Sequence, residues 1–325
     1  MLSFSDLLNY LKGNKNISIP ATQEKDLRNI GYYHGYKGYR FIRTSSNKIQ
    51  FSNIKEVIVL NKFDLDLKTL IYPKIMFIET ALKSYFIESI LDDSKSEDMA
   101  TIYSKTVTRY QSYQKGSKQY TEEFKKRMNL QMKINSALIR DYQKEKEIEK
   151  HFFNNDKPIP VWAVFESLTL GEFGNFFDCS NLNTRLSTSK LLSLPTNLDS
   201  DGELISYIIY TLRDLRNAVA HNSVIFDTRF KTAKINKRLT LLLESETGIK
   251  NIDFKYISAY IILITYIILI TYIYKHLEQN RECKSFIHEY LTKCEYLYKN
   301  VPNNVYFEIV GTNNKSIMTQ LENWI

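Results

Sequence analysis

One stretch of this 325-residue sequence gathers side chains suited to phosphodiester chemistry: Thr211-Leu212-Arg213-Asp214-Leu215-Arg216-Asn217-Ala218-Val219-Ala220-His221-Asn222-Ser223. Read as a helix, it places Arg213, Asn217 and His221 at i, i+4 and i+8, one polar stripe, with Leu212, Leu215 and Val219 on a neighbouring apolar stripe. RNA carries its own nucleophile, the 2′-hydroxyl. Cleaving it without a metal requires a group that moves protons and a cation where charge builds on phosphorus. Imidazole changes charge near neutral pH, so His221 suits the first task. Guanidinium matches phosphate with a planar fork of donors, so Arg216 suits the second. Asn217 is placed to hold the imidazole or a phosphate oxygen. Arg216 and His221 stand five positions apart, about 140° around an ideal helix, and share no face of it. Two copies across a two-fold axis would bring four such groups to one phosphate, with Ala218 and Ala220 small enough to permit the approach. The same spacing also fits a helix-terminal His that only interacts with the helix dipole.

A second candidate set is basic and aromatic. Residues 103–140 interleave Tyr103, Arg109, Tyr110, Tyr113 and Tyr120 with Lys115, Lys118, Lys125, Lys126 and Arg127. Basic groups hold phosphates and tyrosine faces stack on unpaired bases, so Lys115, Lys118, Lys125, Lys126 and Arg127, with Arg213, are the candidate RNA-binding residues. A solvated helical hairpin has the same composition. The net charge of +8 suits a polyanionic partner, RNA or an anionic membrane, and equally a lysine-biased proteome. Glu79 and Glu166 lie on apolar helical segments and read as buried carboxylates paired with an Arg or a tyrosine hydroxyl, and Trp162 reads as core.

Several chemistries have no residues here to perform them. There is no Gly-rich phosphate loop, HExxH, G-x-S-x-G or CxxC pair, and no cofactor or metal is expected. Cys179, Cys283 and Cys294 are few, odd in number and not in metal-type spacing, which suits a reducing cytoplasm. The N-terminus has no basic region followed by an apolar stretch and does not read as a signal peptide.

The elements that must position these groups are helical. Only 10 Gly and 6 Pro stand among abundant Leu, Ile, Lys and Glu, which favours long helices. Helices are expected over 3–12 and 21–31, followed by an aromatic turn broken by Gly31, Gly35 and Gly38. Two more are expected between Ile54 and Leu91, meeting near Pro73. Ser94-Lys95-Ser96-Glu97 and Ser200-Asp201-Gly202-Glu203 read as capping boxes, the second opening the helix that runs to His221. A charged helix is expected over 119–151, and one from Pro158 and Pro160 to about Phe177. The run Tyr256–Tyr274 has no charged residue and nearly the length of a membrane span, but Ser258, Thr265, Thr271 and five tyrosines interrupt it. It reads as the central helix of a bundle, with a lone membrane span as the alternative.

The run Arg216-Asn217-Ala218-Val219-Ala220-His221 resembles the Arg-x-x-x-x-His signature of HEPN ribonucleases. Three further blocks resemble the Abi abortive-infection proteins of the AbiD/AbiF group. Asn29–Tyr39 is similar to their Asn-Tyr-Tyr-Arg-Leu-x-Gly-Tyr element. Phe63–Leu70 with Ile78–Lys83 is similar to their Phe-Asp-x-x-Leu-Arg and Ile-Glu-x-Ala-Leu-Arg helices. Pro160–Gly171 is similar to their Pro-x-Trp-x-x-x-Glu-x-Leu-(Ser/Thr)-x-Gly block. The four stand in the family's order over about residues 27–225. Asn222 departs from the pattern, which often has a second His there, and His34 replaces an Arg. The resemblance implies a helical HEPN fold, anti-phage defence through RNA cleavage or growth arrest, and a two-fold homodimer with facing motifs. It also implies a toxin that in some members is held in check by a small RNA.

The fold expected is therefore all-α, a HEPN-like helical bundle with N-terminal and C-terminal helical extensions. The expected parts are an N-terminal segment (1–50), a HEPN-like domain (51–280) and a C-terminal extension (281–325). The activity expected is that of a metal-independent endoribonuclease. A non-catalytic RNA-binding module of the same fold and a membrane-associated effector are the alternatives.

Overall fold

The computed structural model describes residues 3–232, 234–271 and 277–325, and among them the protein is all-α, with no strand and three isolated β-bridges. In chain order the helices are α1 (Phe4–Asn9), α2 (Glu24–Ile30), α3 (Ile54–Ser94), α4 (Met99–Thr106), α5 (Lys118–Gln143), α6 (Glu147–Asn154), α7 (Val161–Ser167) and α8 (Leu170–Cys179). They continue with α9 (Leu182–Leu191), α10 (Leu204–Ala220), α11 (Lys237–Thr247), α12 (Ile257–Thr271), α13 (Leu277–Asn300), α14 (Asn303–Val310) and α15 (Asn314–Trp324).

These residues fall into two compact units. One comprises Met1–Ile75, Asp214–Lys234 and Leu243–Ile325; the other comprises Met76–Arg213 and Ile235–Leu242. The second has a core of rings: Phe86 of α3 meets Phe165, Phe173, Phe176 and Phe177 at centroid distances of 5.1–5.8 Å. In the first, Tyr260 of α12 packs on Phe230 and Phe254, and Tyr266 on Trp324 of α15.

Several local expectations change. Pro73 does not divide α3, which runs unbroken for 41 residues. A proline inside a helix costs about 3 kcal/mol. Against that, Leu67, Ile71, Ile75 and Ile78 are all buried along one continuous stripe, each stabilising by roughly 1.5–3 kcal/mol. Pro73 is exposed, as is Thr69, whose carbonyl loses its amide partner, so water has room to replace the donor. Gly31 ends α2 with φ +79°, yet the chain after it winds on as a wide π turn over Gly31–Lys37 instead of opening into a loop. The cap of α4 is Asp98, whose carboxylate accepts from Thr101 N at 2.8 Å, and not Ser94. The start of α10 is held by Asp199, which accepts from Leu204 N at 2.8 Å, and not by Ser200. Glu145, at φ +61°, breaks the charged helix into α5 and α6. Pro160 opens α7, and the Thr169–Glu172 capping box starts α8 as a separate helix.

The apolar run forms α12, buried on every side over Ile257–Ile268, as a central helix should be. Residues 272–274 of that run lie outside the described residues. Among the described residues no helix is long and apolar enough to cross a membrane.

Candidate active site

Arg216, Asn217 and His221 lie at the C-terminal end of α10, and the way that helix stops decides how His221 is presented. Asn222 takes the left-handed conformation at φ +53°. Its amide donates to Val219 O at 3.1 Å, and the amide of Ser223 donates to Ala218 O at 2.8 Å. This pair of bonds is a Schellman closure, in which Asn222 occupies the position usually given to glycine. Asparagine tolerates that conformation better than other residues with a Cβ. The departure from the family pattern at Asn222 thus has a local structural use. His221 itself is the last residue of the helical winding and its side chain is exposed.

A buried ion pair anchors the turn. Lys68 and Asp64, one helical turn apart on α3, pair with each other and are both buried. Lys68 Nζ also donates to Asn222 Oδ1 at 2.7 Å, and Asp64 Oδ1 accepts from Ile225 N at 2.8 Å. Burial pushes the Asp64 carboxyl above its ordinary range, against the pull of the Lys68 ammonium and the amides of Ile225 and Phe226. The aromatic element supports the following residues. Tyr39 packs on Phe226 at 5.7 Å, Arg229 donates to Gly38 O at 2.9 Å, and Asp227 accepts from Arg43 N at 2.9 Å. A Cβ at Gly38 would stand 3.3 Å from Tyr33 O, a tight contact, and 3.8 Å from the Val224 side chain, an ordinary one.

Arg216 is half-buried. Its Nε is shielded from solvent and has no hydrogen-bond partner, and among the described residues no carboxylate pairs with it. A guanidinium left without a protein anion is available for one from outside. Asn217 is exposed beside it. Arg213 is held differently: its guanidinium lies over the Tyr210 ring at 4.8 Å, and its aliphatic stem fills the space beside Gly171.

The basic candidates lie in the other compact unit. Lys115, Lys118 and Lys125 are exposed. Lys126 pairs with Glu123 at 2.7 Å. Arg127 is used internally: its Nε donates to Val107 O at 3.0 Å and its guanidinium lies over Tyr103 at 4.5 Å. Arg109 is likewise committed to Glu203 at 2.6 Å. Glu79 is buried as expected, but its partner is Lys83 at 3.1 Å, not an Arg or a tyrosine. Glu166 is exposed, and Trp162 is 45% exposed with its ring edge-on to Phe152, so neither is core. α7 is only two turns long, and its other face, with Val161, Val164 and Phe165, takes the interior.

Sequence reading did not single out Asp64 and Lys68. A signal existed: both interrupt the apolar stripe Leu60, Phe63, Leu67, Ile71 at positions that should face the interior. An acid and a base one turn apart on such a face are one another's natural partners.

The sequence profile of the Abi-like protein family matches residues 25–227, well over half of the chain and including every residue of the Asp64–Lys68–Asn222 cluster and of the Arg216–His221 run. No curated protein and no solved structure matches the chain significantly.

Proposed function

Because this chain belongs to the Abi-like protein family, we propose that it is an abortive-infection effector that cuts RNA, with Arg216 and His221 as its catalytic pair and Asn217 beside them. The observation that carries the reading is the contrast at the end of α10. Around it the charged side chains Asp64, Lys68, Asp227 and Arg229 are all paired, whereas among the described residues Arg216 has no protein anion and His221 has no partner for its side chain. A buried polar atom that only stabilises a fold is normally satisfied by it, and the shielded Nε of Arg216 is not.

In the proposed reaction an imidazole accepts the proton of a ribose 2′-hydroxyl. The resulting oxygen attacks the adjacent phosphorus, the bond to the 5′-oxygen breaks, and a 2′,3′-cyclic phosphate remains. A second, protonated imidazole supplies the proton that the 5′-oxygen needs. Arg216 stabilises the charge that gathers on the phosphoryl oxygens. Two imidazoles at one phosphate imply two copies of the chain, each contributing His221 and Arg216. A HEPN-type fold, a homodimer with facing motifs, a cytoplasmic site of action and restraint by a small RNA are parts of the same proposal.

The test is growth arrest in cells and RNA cleavage by purified protein in chelator-treated buffer. Arg216→Ala and His221→Ala should each abolish both, with circular dichroism unchanged, since His221 is exposed. Mixing the two inactive variants should restore some cleavage if one site draws on both chains. Full toxicity of His221→Ala would defeat the reading.

A further inference from the structure

Arg185 of α9 is a buried cation without a hydrogen-bonded anion. The residue is 6% exposed, and its Nε and Nη1 are shielded from solvent with no hydrogen-bond partner. Glu203 Oε1 approaches Nη1 only to 3.8 Å, beyond hydrogen-bond reach. The carboxylates nearby are bonded to other donors. Arg109, in the 3-10 turn Arg109–Ser112, donates to Glu203 Oε1 at 2.6 Å. Arg238 of α11 donates to both oxygens of Asp201, at 2.7 and 2.9 Å. Asp178 accepts from Tyr210 at 2.7 Å and from Ser206. Burial, and then the charge of Arg109, pull the Arg185 guanidinium below its ordinary pKa. The chain nevertheless packs closely on this residue. Gly202 has φ +65°, and a Cβ there would stand 2.8 Å from the Arg185 Cβ. A buried ion with no partner is a heavy cost to a fold, and an anion from outside would remove it.

Glu203 marks where such an anion would sit. Its carboxylate lies within reach of three guanidinium groups, Arg109 at 2.6 Å, Arg238 at 3.6 Å and Arg185 at 3.8 Å. The Tyr207 hydroxyl also donates to it, at 2.8 Å. Its two oxygens are taken up by Arg109 and Tyr207, so its approaches to Arg185 and Arg238 stay too long for hydrogen bonds. In formal charge, three guanidinium groups face Glu203 and Asp201, which leaves one positive charge over. A phosphate group has more oxygens than a carboxylate and up to two negative charges, and guanidinium forks match its geometry. The cluster opens to solvent on one side, where the side chains of Glu203, Arg238 and Asp201 are 24%, 30% and 46% exposed. A ligand can enter there as Glu203 turns outward.

We propose that this cluster is a phosphate-binding site in which the Glu203 carboxylate stands in for the ligand. A phosphate group displaces Glu203 and accepts hydrogen bonds from Arg109, Arg185 and Arg238. The ligand is inorganic phosphate or the terminal phosphate of a nucleotide, since the recognising chemistry is the same. The inference goes beyond the RNA-cleaving reading and does not rest on it. All of these residues belong to the unit that contains neither Arg216 nor His221.

Thermal melts of the full chain test it, with inorganic phosphate compared against chloride at matched ionic strength. All arms carry Arg216→Ala, which removes the other proposed phosphate contact. Phosphate should raise the melting temperature and saturate, as binding to the folded state requires. Glu203→Gln should reach half of that effect at about a tenfold lower phosphate concentration, because no charged carboxylate competes for the arginines. Arg185→Met should lose the effect. Arg185→Lys, which keeps the charge without the fork, should lose most of it, and serves if the methionine variant does not fold. Adenosine 5′-monophosphate against adenosine separates the two sources. A rise with the nucleotide and with inorganic phosphate supports a site for any terminal phosphate; a rise with the nucleotide alone supports a nucleotide site. The proposal is overturned if neither compound raises the melting temperature or if the Arg185 variants keep the effect. It is also overturned if Glu203→Gln needs as much ligand as its parent. RNA cleavage is read in none of these arms, so failure here leaves the Arg216–His221 reading standing, and the reverse.

Discussion

The ammonium of Lys68 donates to the side-chain oxygen of Asn222 at 2.7 Å, one residue beyond His221, while paired with Asp64 in a buried environment. A bond across 154 positions of sequence thereby ties the middle of α3 to the turn that presents the candidate catalytic imidazole.

Removing one partner of that pair strands the other. Lys68→Met leaves Asp64 buried and unpaired, and should lower stability by about 3–5 kcal/mol in urea unfolding. Lys68→Met combined with Asp64→Leu should cost clearly less than the sum of the two single changes, because no lone charge remains. Additive losses would mean that the pair does not act as a unit.

Asn222 has two tasks that substitutions separate. Asn222→Gly keeps the left-handed turn but removes the acceptor for Lys68, whereas Asn222→Val loses both. The valine variant should be the less stable of the two, by about 1–2 kcal/mol from the backbone conformation alone. Paired thermal melts compare them, and equal melting temperatures would contradict the role of φ +53°. If the turn positions His221, RNA cleavage should fall in the valine variant more than in the glycine variant.

RNA binding should weaken steeply with salt. Removing one phosphate-binding cation should flatten the log–log slope by about 0.7–0.9. Lys115, Lys118, Lys125 and Lys126 are all exposed, but Lys118 already has Glu122 at 3.9 Å and Lys126 has Glu123 at 2.7 Å. Charge reversal at Lys115 and Lys125 should therefore flatten the slope more per residue than reversal of Lys118 or Lys126. An unchanged slope in the quadruple variant would exclude this segment as the RNA surface.

Acid should weaken the unit that holds Asp93. Burial acts to raise this carboxyl, but hydrogen bonds from Thr184, Asn181 and Asn183 overcome it and hold the group below its ordinary range. A depressed carboxyl contributes stability that is complete above the unfolded-state value near ~4 and is lost as pH falls through the folded value. Denaturation midpoints measured from pH 7 downward should drop below about pH 4, and Asp93→Asn should drop less over that window while being less stable at pH 7.

The all-α class, the central helix Ile257–Thr271 and the run Arg216–His221 were legible in the sequence because each rests on local facts: few glycines and prolines, an uncharged apolar run, and residue types at fixed spacing. Helical period and side-chain chemistry are properties of neighbouring residues, so a linear reading reaches them. The continuity of α3 through Pro73, the exposure of Trp162 and Glu166, and the internal use of Arg127 were not legible. Each depends on which face of a helix meets another element, and packing against many distant residues together outweighs a local propensity of a few kcal/mol. The Asp64–Lys68–Asn222 cluster is the clearest case. That an acid and a base sit on an apolar stripe can be read from residue order alone; that their partner is the turn after His221 follows from how the chain packs. A buried charge must find its partners wherever the chain returns, and that place is set by packing, not by sequence distance.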